Sequence, residues 1–397
     1  MQLHVTSLPG GRLGGEAYRF VDWLAAAGQS YWQVLPLNPP DRYRSPYKSH
    51  SAFACWPALL ERPSAPVSAG ELADFRARQA FWIGDWERAA GRRAVRDQVR
   101  FEREWSALRR YAAGAGVSII GDLPLYVAPD SVDHNCHPQL FASGLLAGTP
   151  PDSFTAAGQF WGNPVYDWPA LQRRRYAWWT ERLRRSAELY DLIRIDHFRG
   201  FVAYWAVPAG AHTARGGRWL RGPGAAPLLA ARRALGGLPL IAEDLGVITP
   251  AVERLRERLD IPGMAVLQFL FEGQTADRLD EATQGRVLYT GTHDQTTLMG
   301  WWDALGSAAR GLVERAMRRR EIRVAAGPWS LLRLAAAAPA PLVMAQMQDV
   351  LGLGGEARMN TPGRASGNWR WQMEVGAASP RLARALRAVS ADAERTS

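Results

Sequence analysis

Four acidic residues stand at the ends of short apolar runs: Asp122 in SIIGD, Asp196 in DLIRID, Glu243 in PLIAE and Asp294 in GTHD. An acid at one strand end commonly caps the helix that follows. Asp196, Glu243 and Asp294 together are a different matter, because carboxylates in different protonation states can share a reaction as nucleophile, acid/base and charge stabiliser. Arg194 and Asp196 are two residues apart, so on a strand they share a face. A guanidinium beside Asp196 favours its ionised form, which is the form a nucleophile needs. Glu243 is then the candidate for a protonated partner, provided its surroundings disfavour charge. Two such carboxyl groups roughly 5–5.5 Å apart make the pair that cleaves glycosidic bonds with retention. Asp244 alternates with Glu243, so only one of the two points the same way as Asp196; Asp244 fits a role toward the following helix.

These acids must be carried by something. Eight short apolar runs recur along the chain: Gln2–Thr6, Tyr31–Leu35, Ser118–Asp122, Asp191–Asp196, Pro239–Glu243, Met264–Phe269, Arg286–Thr290 and Leu342–Ala345. Helix-period segments lie between them, among them Glu16–Ala27, Arg100–Ala113, Leu171–Leu189, Pro250–Leu259 and Gly306–Val324. Fully apolar strands alternating with helices predict a parallel sheet buried on both faces. Eight of them predict a (β/α)8 barrel, whose sites lie at the C-terminal strand ends. The 397 residues allow two or three domains by length alone, or one barrel with insertions. The spacing favours one barrel over 1–397, with inserted subdomains at 39–117, between the second and third strands, and at 129–170, between the third and fourth. No separate C-terminal β-sandwich is expected.

Composition removes several classes. Hydrophobic content of 47% and charged content of 22% are globular values. Lys48 is the sole lysine and lacks the glycine context of a phosphate-binding loop. G-x-S-x-G and H-E-x-x-H are absent, and PGGRLGG does not make a dinucleotide fingerprint. The net charge of +10 raises nucleic-acid binding, but the runs Arg173–Arg175 and Arg318–Arg320 lie in helix-like segments without interleaved aromatics. Two cysteines, Cys55 and Cys136, make neither a disulfide framework nor a four-thiolate zinc site and suggest a reducing cytoplasm. His134 and His137 are three apart in a Pro/Asp-rich loop, a poor basis for a metal site. No signal peptide or membrane span is expected. The 17 tryptophans offer flat faces with a polar edge, suited to amphipathic ligands.

RIDHFRG (Arg194–Gly200), IAEDLG (Ile241–Gly246) and GTHDQTT (Gly291–Thr297) resemble the catalytic motifs of the 4-α-glucanotransferases, also called amylomaltases or disproportionating enzymes, of glycoside hydrolase family 77 in the α-amylase clan. The resemblance extends through TSLPG (Thr6–Gly10), SPYKSHSAFA (Ser45–Ala54), GDLPLYVAPDSVD (Gly121–Asp133), the stretch Pro150–Trp168, QDVLGLG (Gln348–Gly354) and RMNTPG with GNWRW (Arg358–Trp371). It implies Asp196 as nucleophile, Glu243 as acid/base and Asp294 as stabiliser of the distorted sugar. It implies Arg194 and His293 around the −1 sugar, Tyr47, Asp130 and Asn360 on nearby rings or hydroxyls, and Trp161, in the loop with Phe154 and Phe160, over the acceptor side. The substrates implied are 1,4-α-glucans, with no cofactor, no metal, no nucleic acid and no membrane; oligomeric state stays open. An α-amylase-like hydrolase is the enzymatic alternative, and a non-catalytic glycan binder the other. Gln295 stands where the family usually has Asn, and Gly363-Arg364 follows Thr361-Pro362 where it usually has a different turn. The N-terminus and the stretches Pro57–Gly116 and Phe141–Pro150 are shorter than the resemblance leads one to expect.

Overall fold

The computed structural model describes residues 1–151, 155–272, 277–325, 327–364 and 366–395. Its strands in chain order are β1 (Tyr31–Gln33), β2 (Ser118–Leu123), β3 (Phe141–Thr149), β4 (Gln159–Tyr166), β5 (Leu192–Ile195), β6 (Ala203–Pro208), β7 (Arg218–Arg221), β8 (Leu240–Ala242), β9 (Gly263–Val266), β10 (Arg286–Tyr289) and β11 (Leu342–Met344). The chain divides into two compact units. One comprises Met1–Leu35, Leu108–Ile120 and Pro262–Ser397; the other comprises Pro36–Ala107 and Gly121–Ile261. β2 contributes its first three residues to the first unit and its last three to the second.

In the first unit β10 lies between β9 and β11, both parallel to it, with Val287 opposite Met264 and Leu342. β1 pairs in parallel with Ser118–Ile120. Gln2 makes parallel bridges to both Gln346 and Gln33, so a single residue joins the end of β11 to β1. The helix Gly15–Ala26 buries Ala17, Phe20, Val21 and Leu24, the i, i+3, i+4, i+7 stripe of an amphipathic helix. Its C-terminal carbonyls on Ala25 and Ala26 accept hydrogen bonds from Arg387 of the helix Pro380–Asp392. A cation there meets both the orphan carbonyls and the negative end of the helix dipole.

In the second unit β5 pairs with β8 in parallel, Ile193 opposite Leu240 and Ile195 opposite Ala242, and β5 neighbours β2 in the sheet order. Ile193, Ile195, Ile241 and Ala242 are all buried, as strands covered on both faces require. A second, antiparallel sheet has the order β4-β3-β6-β7.

Seven of the eight expected runs contain a parallel strand. Gln2–Thr6 does not: beyond the bridges at Gln2 the chain closes a 3₁₀ turn at Val5–Ser7, ahead of Gly10 and Gly11 in the left-handed region. Met264–Phe269 is a strand only to Val266 and then a helix from Leu267 to Phe271; an unbroken apolar run carries no period to separate the two. The helix expected over Leu171–Leu189 is two helices, Trp168–Arg173 and Ala177–Leu189, parted where Arg175 and Tyr176 take positive φ. The antiparallel sheet was not expected. Its β3 is irregular against β4 between Phe141 and Gly148 and carries Gly144 in the left-handed region, which erases the strict alternation that marks a half-buried strand.

Candidate active site

The second unit concentrates charge at the ends of its parallel strands. Asp122 lies inside β2, with its side chain fully buried. Its two oxygens accept hydrogen bonds from Arg194 Nη1 at 2.7 and 2.8 Å, and Oδ2 also accepts from Tyr47 Oη at 2.5 Å. Arg194 Nη2 then faces Asp196 Oδ1 at 3.1 Å. The expected pairing of Arg194 with Asp196 is present, although β5 ends at Ile195 and Asp196 is the first residue past it. Burial opposes the charge on Arg194, but Asp122 and Asp196 outweigh it and raise the guanidinium well above its ordinary pKa. Burial, and then the charge on Asp122, raise the Tyr47 phenol as well, so it is a donor.

Glu243 follows β8 directly. Its carboxyl is received by backbone amides of the neighbouring segments: His197 N donates to Oε2 at 2.7 Å and Leu245 N to Oε1 at 3.1 Å. The main chain is tied too, with Phe198 N on Glu243 O and Glu243 N on Ile195 O, both at 3.0 Å, and Asp196 N on Leu123 O at 3.0 Å. Burial pushes the Glu243 carboxyl up to about 7, and the charge of Asp196 adds to it, against the pull of Arg194 and the two amides. Asp244 turns the other way: its side chain is fully buried and lies 3.4 Å from Arg256 Nε in the helix Pro250–Arg258.

His197, in the left-handed region at φ 53°, shares its ring surface with Trp161, edge-on at 4.9 Å, and with Tyr126 at 6.0 Å. Burial, then the charge of Arg199, lower His197 to about 3, so it is neutral. Trp161 Nε1 donates to Gln159 Oε1 at 3.2 Å. Phe154, expected in the same loop, lies outside the described residues. Asp130 stands apart from the Asp122 network: its side chain is 66% exposed and its carboxylate is 3.8 Å from His50 Nδ1. His134 and His137 turn to different partners, Pro129 O and Asp85 Oδ2.

The first unit holds Asp294, His293 and Asn360. Asn360 Nδ2 donates to Asp294 Oδ1 at 2.5 Å and Asn360 N to His293 O at 3.0 Å. Arg358 donates to the backbone oxygens of Asp294 and Asn360. His293 Nε2 is 3.4 Å from Asp294 Oδ1, and its ring lies 5.6 Å from that of Trp369. Asp122 is legible in the sequence as a strand-end acid but its partners are not, and Arg358, although it opens the RMN motif, carries no other sequence signal.

The sequence profile described as 4-alpha-glucanotransferase matches residues 3–79 and 85–377. The chain belongs to the 4-alpha-glucanotransferase family. A 4-alpha-glucanotransferase of Thermus thermophilus is 37% identical over 492 aligned residues, covering 99% of this chain and 98% of the relative. The alignment is longer than the 397 residues of this chain, so the relative has segments absent here. Among solved structures, the amylomaltase of Streptococcus agalactiae in complex with acarbose superposes with a TM-score of 0.91 at 29% identity, covering 100% of this chain and 99% of that one. A maltogenic alpha-amylase of Thermotoga neapolitana shares the fold at a TM-score of 0.53 and 11% identity, over 99% of this chain and 77% of that one. The protein is thus an α/β enzyme of the 4-alpha-glucanotransferase family, with glucan transglycosylation as its activity. No described helix of this glucanotransferase is long and apolar enough to cross a membrane.

Proposed function

We propose that the chain transfers a segment of a 1,4-α-glucan to the 4-hydroxyl of an acceptor glucan or glucose by retaining double displacement, at the strand ends of a (β/α)8 barrel. The barrel is supported by eight parallel segments in chain order: Gln2, β1, β2, β5, β8, β9, β10 and β11. The segments 39–117 and 129–170 are its insertions. Asp196 attacks C1 while Glu243 protonates the departing oxygen, and a covalent glycosyl-enzyme forms through an oxocarbenium-like transition state. Asp294 stabilises that state. Arg194 and His293 hold the −1 sugar; Tyr47, Asp130 and Asn360 serve nearby hydroxyls. Glu243, now ionised, takes the proton of the incoming 4-hydroxyl, and the new bond releases Asp196. Every step runs on side chains of the protein, without a cofactor or metal. The setting that fits the two unpaired thiols is the cytoplasm.

The observation that carries this reading is the contrast between the two acids of the second unit. Asp196 has a guanidinium 3.1 Å away, whereas burial pushes the Glu243 carboxyl up to about 7, which favours the form that gives a proton. An acid beside a guanidinium and an acid whose burial favours its protonated form fit the roles of nucleophile and acid/base. Transfer prevails over hydrolysis only if sugar occupies the acceptor side and water is kept out, the task assigned to Trp161. Incubation with maltotriose tests the reading. Glucose together with a ladder of longer maltodextrins is expected. Reducing ends that rise with bonds cleaved, with no longer products, would establish an α-amylase-like hydrolase instead.

A further inference from the structure

Two buried side chains with no place in the mechanism above hold the same loop at both of its ends. The loop runs from Thr290, just past β10, to Leu298, the first residue of the helix Leu298–Ala304, and it carries His293 and Asp294. Asp349, fully buried, accepts from Thr290 Oγ1 at 2.6 Å through Oδ2 and from Leu298 N at 2.7 Å through Oδ1. Gln268, 2% exposed, donates from one nitrogen, Nε2, to Thr290 O at 3.2 Å and Thr296 O at 2.8 Å. One carboxylate and one amide therefore bridge entrance and exit independently. Gly291 makes room for this: a Cβ there would lie 2.8 Å from Gln268 Nε2 and 2.6 Å from Gln346 Nε2. Inside the loop, Gln295 Oε1 accepts from Thr292 N at 2.8 Å and from Thr292 Oγ1 at 2.6 Å. The departure from the usual Asn at this position thus braces the same turn from within.

We infer that Asp349 and Gln268 are positioning residues for Asp294, a double clamp that fixes the span of the loop and with it the place of the Asp294 carboxylate. The inference rests on the reading of Asp294 as transition-state stabiliser. Asn360 reaches Asp294 directly, but Asn360 lies on another segment and can align the carboxylate only if the loop presents it at a fixed height. Apolar packing resists compression and leaves sliding along the contact surface open; two directional bridges to the loop's entrance and exit stop it from sliding. A misplacement of about 1 Å at a catalytic group costs on the order of 100-fold in rate, so the clamp acts on turnover more than on substrate binding.

The test uses the full chain and maltotriose kinetics, with thermal unfolding to count folded enzyme at the assay temperature. Asp349→Ala removes both carboxylate bridges and is expected to lower kcat by roughly 10–100-fold per folded molecule while KM stays within about threefold. Asp349→Asn keeps an acceptor for Leu298 N and offers its amide to the Thr290 hydroxyl, and is expected to recover most of the loss. Gln268→Ala, which leaves the carboxylate in place, is expected to lower kcat in the same sense and carries the test if Asp349→Ala does not fold. The deciding measurement is the pair Asp294→Ala and Asp294→Ala/Asp349→Ala, assayed with a maltosyl fluoride donor. If Asp349 acts through Asp294, the second substitution adds no further loss in kcat. Fully additive losses, or a wild-type kcat in Asp349→Ala and Gln268→Ala, overturn the clamp. A wild-type kcat in Asp294→Ala alone would overturn the stabiliser reading instead.

Discussion

Removing the negative charge of Asp196 should draw the Glu243 carboxyl back toward acidity. Glu243 stands at about 7 against the usual 4.5, through burial and then through the charge of Asp196. Asp196→Asn leaves the burial unchanged and deletes the charge. For two carboxylates about 5.5 Å apart, the spacing of a retaining pair, at an effective dielectric constant of about 20, the repulsion is roughly 3 kcal/mol, or about two pKa units. Arg194 and the amides of His197 and Leu245 remain and keep pulling downward. The expected position in the variant is therefore about 5. The sign matters for mechanism. The acid form of Glu243 is nearly complete at pH 6 in the free wild-type enzyme and is lost as pH rises through 7, so kcat/KM for the donor should fall about tenfold per pH unit on the alkaline side. In the proposed mechanism the glycosylated Asp196 has lost its charge, as in Asp196→Asn, and Glu243 then becomes the base that the second half-reaction needs at neutral pH. Carbon-13 NMR of glutamate carboxyls in Asp196→Asn, with the Glu243 signal assigned by its absence in Asp196→Asn/Glu243→Gln, follows the titration directly. A Glu243 titration at 7 or above in Asp196→Asn, or near 4.5 in the wild type, would refute the reasoning.

Asp122→Ala removes the carboxylate that takes both short contacts of Arg194 Nη1 but leaves Asp196 at 3.1 Å, so it should cost about 1.5–3 kcal/mol of unfolding free energy in urea; a loss below about 0.5 kcal/mol contradicts the buried pairing. Trp161→Ala should shift products from longer maltodextrins toward free reducing ends, and an unchanged ratio removes Trp161 from the acceptor side. Gly121→Ala would place a Cβ 2.1 Å from the Tyr190 ring, forcing that buried ring aside at about 1–3 kcal/mol or more; an unaltered thermal midpoint would show that the ring moves freely.

The acids at strand ends were legible because burial on both faces makes parallel strands uniformly apolar, so a carboxylate at the end of such a run is conspicuous. Asp244 was separable from Glu243 by alternation alone, and the structure turns it toward Arg256. What joins Asp122 to Tyr47 and Arg194 was not legible, since the partners lie 75 and 72 residues away in the chain and no periodicity spans such distances. The antiparallel sheet escaped for a local reason: the irregular pairing of β3 with β4 and the left-handed Gly144 break the period-two pattern where it would have been read. Helix ends set by left-handed non-glycine residues, as at Arg175 and Tyr176, leave no trace in composition either.

The hydrogen bonds that receive Glu243 have a mechanical consequence. The amide on its Oε2 belongs to His197, the residue directly after Asp196, and the next amide, of Phe198, binds the Glu243 carbonyl. The carboxyl and the carbonyl of Glu243 are therefore both held by the short segment that follows Asp196, like a workpiece set against a gauge block. Displacing that segment pulls on Glu243 at two points, its carboxyl and its carbonyl. The chain of 397 residues lacks segments that a relative aligned over 492 positions has, and the hydrogen bonds that tie Glu243 to the segment after Asp196 are in place without them.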